Sequence, residues 1–228
     1  MGNCLSAGDT ASLRDLVRRP GAPPERQLSA ADIRTGLSAV AKILNNKRRN
    51  VSIVAVGGAV NTVLLGTRPY TGDVDFFYRT KTRSQEVTDV LAAAEAVRNG
   101  LGLEASWLNN HTVVFVQEGT IGTMYEEAIQ QNVVVFREHG LTVYAAPWRY
   151  ALITKLDRVM KGAGRSYDMS DAVGYLSHLL QGRQGRVVTM ADLEGWAREY
   201  ALTPPTEEVV AGLAALYKAQ TGRDGVVV

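Results

Sequence analysis

Two aspartates, Asp73 and Asp75, stand in the run Asp73-Val-Asp-Phe-Phe-Tyr78. The alternation of acid, apolar, acid and aromatic predicts a strand with one wet face at its start, and residues two apart on a strand share a face. Two carboxylates held side by side repel each other, and a divalent cation relieves that repulsion. Mg²⁺ takes hard oxygen ligands and commonly bridges carboxylates to the phosphates of a substrate. Upstream, Val51-Ser-Ile-Val-Ala-Val56 predicts a short buried strand that breaks at Gly57-Gly58, followed by a short helix over Val60–Leu65. Glycines at a strand end have no Cβ to keep a phosphate chain from the backbone. The helix that follows turns its free N–H groups toward such an anion. Each signal is weak alone; their succession on neighbouring strands around one short helix is stronger. The plainer reading is a strand-turn-helix with an exposed acidic end, although an acidic pair entering so apolar a strand is then costly.

The elements that must position these residues can be read around them. Ser29 is placed as an N-cap, and Ile33, Leu37, Val40, Ile43 and Leu44 recur at helical spacing up to Lys47-Arg48-Arg49. Ser84–Asn99 is an alanine-rich helix with Gly100 as its stop. Thr112–Val116, Val133–Phe136 and Leu141–Ala145 predict strands, the last two joined through Glu138-His139-Gly140. From Pro147 the pattern turns helical, over Tyr150–Met160, Asp168–Leu180, Met190–Tyr200 and Glu207–Thr221, with breaks at Gly162-Ala-Gly164 and around Gly182–Gly185. The predicted fold class is α+β: an α/β core over residues 28–146, a helical region over 147–228, and an arm over 1–27 that contains Pro20, Pro23 and Pro24.

Composition narrows the class further. Across 228 residues the chain is 46% hydrophobic and 21% charged, with a net charge of +2, so a core is available and the charge alone does not point to nucleic acid. Cys4 is the single cysteine, which excludes an internal disulfide or a cysteine-based zinc site and suits a reducing compartment. His111, His139 and His178 share no metal-binding spacing. Trp107, Trp148 and Trp196 read as core or interface anchors rather than base-stacking platforms. No apolar run approaches the roughly 20 residues of a membrane helix, so the expected location is cytoplasmic. Met1-Gly2-Asn3-Cys4-Leu5-Ser6 nevertheless matches the pattern for myristoylation of Gly2, with Cys4 placed for palmitoylation. Two acyl chains, or one with basic residues such as Arg14, Arg18 and Arg19, give stable attachment to a membrane surface. The competing reading is an unmodified arm.

With these residues in place, a family resemblance emerges. Val56-Gly-Gly-Ala59 followed by Arg68-Pro-Tyr-Thr71-Gly-Asp73-Val-Asp75 resembles the signature of the nucleotidyltransferase superfamily, a Gly-Gly or Gly-Ser turn followed by Asp-x-Asp. The Arg-x-x-Thr-x-Asp-x-Asp form is similar to the AbiEii-type nucleotidyltransferases of toxin–antitoxin systems and their uncharacterised relatives. Trp107-Leu-Asn109, Lys155-Leu-Asp-Arg158 and Arg165-Ser-Tyr-Asp168-Met-Ser-Asp171 resemble further blocks of that branch, so the likeness covers approximately residues 50–180. It implies a nucleotidyltransferase-like mixed sheet flanked by helices and transfer of a nucleoside monophosphate from an NTP to a hydroxyl acceptor (RNA, protein or small molecule). It also implies Mg²⁺ on Asp73 and Asp75, with Gly57, Gly58, Thr71 and Arg158 contacting the nucleotide. Lys155 would be a phosphate contact at the catalytic site, and Asp168 and Asp171 an acidic pair near that site or bracing its helix.

Spacing alone leaves these last residues open. Lys155 and Arg158 share a helix face and could meet one anion or simply face solvent. Asp168 and Asp171 could equally be an N-cap and a first-turn acid. The chain also departs from the pattern, because catalytic members carry a third carboxylate on a later strand. Thr112–Val116 has none, and Asn109-Asn110 stands where an acid is expected. Glu118, Glu138, Asp168 or Asp171 could substitute, and without a third acid a catalytically degenerate binding module becomes the alternative to an enzyme.

Overall fold

The computed structural model describes residues 27–227 apart from 83, 118, 163 and 185. The acylation pattern at Gly2, Cys4 and Ser6, nearly all of the predicted arm, and Glu118 lie outside the described residues. The chain forms two compact units, one over residues 25–151 and the other containing 152–228. Among the described residues no helix is long and apolar enough to cross a membrane.

In the first unit, β1 (Leu28–Ser29) leads into α1 (Ala30–Asn46). A reciprocal capping box starts this helix: the Asp32 N–H donates to Ser29 Oγ, and the Ser29 N–H donates to the Asp32 carboxylate. The apolar stripe expected from the sequence is buried, with Ile33, Leu37, Val40 and Leu44 all closed to solvent. β2 (Val51–Val56), β4 (Val74–Phe77), β5 (Leu108–Asn109), β6 (Val134–Glu138) and β7 (Leu141–Ala145) build a five-stranded mixed sheet in the order β5-β4-β2-β7-β6. β2 is central, antiparallel to β4 and parallel to β7, which explains its near-continuous apolar sequence. A short helix, α2 (Gly58–Val60), follows β2; α1 packs on α3 (Gln85–Leu101) and against β6 and β7, while α4 (Ile121–Gln131) packs on β7. Trp107 is 1% exposed; its Nε1 donates to the Ala94 carbonyl of α3, and a Cβ added at Gly36 of α1 would lie 2.7 Å from its ring. β3 (Tyr70–Thr71) pairs with β1 outside the main sheet.

Beyond Pro147 the chain is helical, as the sequence indicates: α5 (Trp148–Met160), α6 (Asp168–Gly182), α7 (Met190–Glu199) and α8 (Glu207–Thr221), with β8 (Val188–Thr189) and β9 (Val226–Val227) as a short parallel pair. Trp148 and Trp196 are buried as anchors.

Two expectations need correction, and one element is new. Thr112–Val116 is not a strand: His111–Val114 forms a 3₁₀ turn, Val114 and Phe115 are 71% and 65% exposed, and the strand beside β4 is the preceding Leu108–Asn109. β-branched residues favour a strand only where a neighbour supplies the ladder, and among the described residues the sheet order places no strand beyond β5. The helix expected to stop at Gly100 continues to Leu101 and is closed by Gly102 in the left-handed region, φ 60°. α4 was not expected from the sequence at all.

Candidate functional site

Register brings the acidic pair to the glycine turn. Asp75 of β4 stands opposite Val56, the last residue of β2, and Gly57 follows directly. On its other side Asp75 is in register with Asn109 of β5. Val56, Asp75 and Asn109 therefore form one row across three strands, at the end of β2 where the chain turns. Asp73 precedes β4 by one residue; both aspartates are half-buried.

The two glycines do different work. Gly57 has φ 65° and ψ −128°, a conformation open in practice only to glycine, and a Cβ built there would meet nothing within 4 Å. The space beside its backbone is open, as close approach of a phosphate requires. At Gly58 that space is already filled, since an added Cβ would fall on the Thr71 hydroxyl and within 2.9 Å of Thr71 Cβ. The missing side chain at Gly58 thus admits Thr71, whose Oγ1 donates to the Asp73 carbonyl at 3.3 Å. The Arg68 guanidinium lies 3.7 Å from the same Cβ position, which sets a cation beside the turn.

After the turn, Gly58–Val60 opens into a π-helix over Asn61–Leu65, closed by Gly66. Asn61 is fully buried; its Nδ2 donates to the Gly57 carbonyl at 3.0 Å, and its Oδ1 accepts from Thr67 Oγ1 at 2.9 Å. The turn is thereby held by a side chain as well as by the backbone. π-Helical insertions of this kind concentrate at functional sites. Asn61 carried no sequence signal beyond its place after the glycines, and Arg68 appeared only as part of a motif.

Asp73, Asp75, Gly57, Gly58 and Thr71 therefore meet in the first unit. The donor set suits Mg²⁺, because two carboxylates with water and phosphate oxygens complete the hard-oxygen shell that this ion takes. Among the described residues no three His, Cys, Asp or Glu side chains group to hold a metal by themselves.

Lys155, Arg158, Asp168 and Asp171 form a cluster within the second unit. Lys155 Nζ lies 2.7 Å from Asp168 Oδ1 and 2.7 Å from Asp171 Oδ2, with the two carboxylates 0% and 1% exposed. Asp168 Oδ2 also accepts the Arg165 N–H at 2.9 Å and faces Arg158 Nε at 3.6 Å. Burial pushes the Asp168 carboxyl up, but Lys155, the Arg165 N–H and Arg158 outweigh it and hold it below the usual carboxylate range. Lys155 and Arg158 do meet one anion together, and that anion is the chain's own Asp168. Both aspartates lie in the first turn of α6, where carboxylates are favoured by the helix dipole. As placed here, Lys155 balances these two carboxylates and braces α5 to α6.

A family model described as a domain of unknown function, DUF7582, matches residues 26–224. No curated protein and no solved structure matches the chain.

Proposed function

We propose that this chain, which belongs to the DUF7582 family of domains of unknown function, is a Mg²⁺-dependent nucleotidyltransferase that moves a nucleoside monophosphate from an NTP to a hydroxyl acceptor. The observation that carries the reading is the register of Asp75 against Val56, which puts the carboxylate pair at the mouth of the Gly57 turn. Asp73 and Asp75 hold the cation. The open backbone at Gly57 admits the phosphate chain, Asn61 fixes the Gly57 carbonyl, and Arg68 adds positive charge beside the turn. Bound Mg²⁺ neutralises phosphate charge, the main contribution in transfer at phosphorus, where positioning and electrostatics dominate. The new bond joins the acceptor oxygen to the α-phosphorus, pyrophosphate leaves, and the hydroxyl proton passes to water.

A second reading, a module that binds the nucleotide without transferring it, is favoured by one observation. Asn109 occupies the position in register beside Asp75, so the row offers an amide where a third carboxylate would stand.

Thermal denaturation with and without Mg²⁺–NTP tests both. A ligand at a hundredfold excess over its Kd stabilises the native state by about 2.7 kcal/mol. At about 2–4 °C per kcal/mol for a chain of this size, that is a rise of about 5–11 °C in Tm. The Asp73→Asn/Asp75→Asn variant keeps side-chain size but removes the charge, and should lose the rise. No rise in the parent refutes both readings. A rise without labelled product, on incubation with labelled NTPs and a cell extract, selects the binding module.

A further inference from the structure

The Asn109 side chain is held on every side that counts for the cation site. The residue is 4% exposed. Its Nδ2 donates to Asp73 Oδ2 at 3.3 Å and to the Ser106 carbonyl at 3.1 Å, while its Oδ1 accepts from the His111 N–H at 3.0 Å. These partners fix which way the amide faces. A carboxylate and a carbonyl only accept and an N–H only donates, so a flipped amide would set its oxygen against two acceptors and its NH₂ against a donor. The same reasoning separates asparagine from aspartate. An isosteric carboxylate would bring negative oxygen against both Asp73 Oδ2 and the Ser106 carbonyl, in a place nearly closed to solvent.

We propose that Asn109 is the positioning residue of the cation site, fixing the Asp73 carboxylate and restricting the Asp73/Asp75 pair to a single divalent cation. The inference rests on the reading that these aspartates hold a divalent cation. Without bound phosphates, two carboxylates carry charge enough for at most one such ion. A second ion would need a further anionic oxygen in the same row, and there the chain places a neutral amide whose oxygen is engaged by the His111 N–H. Groups that orient a metal-binding carboxylate by hydrogen bonding set its affinity, and their loss costs about 10–100-fold in metal binding.

Mn²⁺ titration of the full chain, read from the free-ion EPR signal, tests this in the absence of nucleotide. The parent should bind one Mn²⁺ per chain, and Asp75→Asn should abolish that binding. Asn109→Ala should weaken it by about 10–100-fold, with native circular dichroism showing that the fold persists. Asn109→Asp should lower Tm in the absence of metal, bind Mn²⁺ more tightly than the parent, and gain a second equivalent. If the alanine variant does not fold, the isosteric aspartate variant decides alone. Two equivalents in the parent, or parent-like affinity in either folded Asn109 variant, overturns the inference and leaves the cation-site reading standing. A parent that binds no Mn²⁺, or binding that survives Asp75→Asn, overturns that reading and the inference with it.

Discussion

Replacing Lys155 by methionine keeps the apolar stem and volume of the side chain but removes the ammonium that serves two buried carboxylates. Each Lys155 Nζ contact is 2.7 Å long, and the carboxylates of Asp168 and Asp171 are 0% and 1% exposed, so water cannot take the place of the lost cation without opening the packing of α5 on α6. Breaking a buried ion pair by removing one partner costs about 3–5 kcal/mol, because a charge is left uncompensated. Asp168 keeps the Arg165 N–H at 2.9 Å and Arg158 at 3.6 Å, but Arg158 is 38% exposed and gives less in a setting open to solvent. At about 2–4 °C per kcal/mol, the expected fall in Tm is about 6–20 °C. The pH dependence provides a second readout. The folded parent holds Asp168 below its ordinary carboxylate range, so its contribution is present above the unfolded value near 4 and is lost as pH falls through the folded value. Without Lys155, burial favours the protonated form of Asp168, so the gap between parent and Lys155→Met should narrow as pH is lowered from 7 toward 4. Adding Asp168→Asn and Asp171→Asn to Lys155→Met removes the stranded charges and should recover most of the stability. Urea denaturation at several pH values measures all three quantities. A loss below about 1 kcal/mol at pH 7, or a gap that does not change with pH, would refute the reasoning, since an exposed pair gives about that much.

Two further outcomes follow from the packing. Gly58→Ala places a methyl group on the Thr71 hydroxyl, so a destabilisation of about 1–3 kcal/mol is expected from overpacking; a parent-like Tm would show that the β3 segment yields without cost. Among nine tyrosines, Tyr125 and Tyr150 are pushed up to about 12 by burial, so part of the absorbance rise at 295 nm should come well above a pH of about 10. Because the unfolded phenol ionises near 10, the stability these two contribute is present below that value and is lost as pH rises toward 12; a single transition of all nine with the fold intact contradicts it.

The readings made from the residues alone succeeded where the cause is local. The N-cap at Ser29 begins α1, and the apolar stripe from Ile33 to Leu44 says which face is buried. Gly57 breaks β2 because its backbone conformation excludes side chains. The alternation at Asp73–Tyr78 marks β4, and the change to helical spacing after Pro147 marks the second half of the chain. α4 was missed although its signal is local, since Ile121, Met124, Tyr125 and Ala128 are the buried positions of a helix face at the proper spacing.

What local sequence could not supply is pairing. Thr112–Val116 has strand composition, but a strand exists only where a neighbour offers its N–H and C=O groups, and the ladder stops at Asn109. The spacing of Lys155 and Arg158 correctly places them on one face of α5. Only the tertiary structure shows that Asp168, thirteen residues after Lys155, supplies the anion. Asn109 is the sharpest case. In the sequence it is an amide where an acid was expected. Its meaning comes from register with Asp75 and from three hydrogen-bond partners spread over residues 73–111. Composition and periodicity determine which elements form, because backbone conformation and side-chain burial are set over a few residues. Which side chains then meet depends on strand order and register, and those are fixed by contacts between residues far apart in the chain.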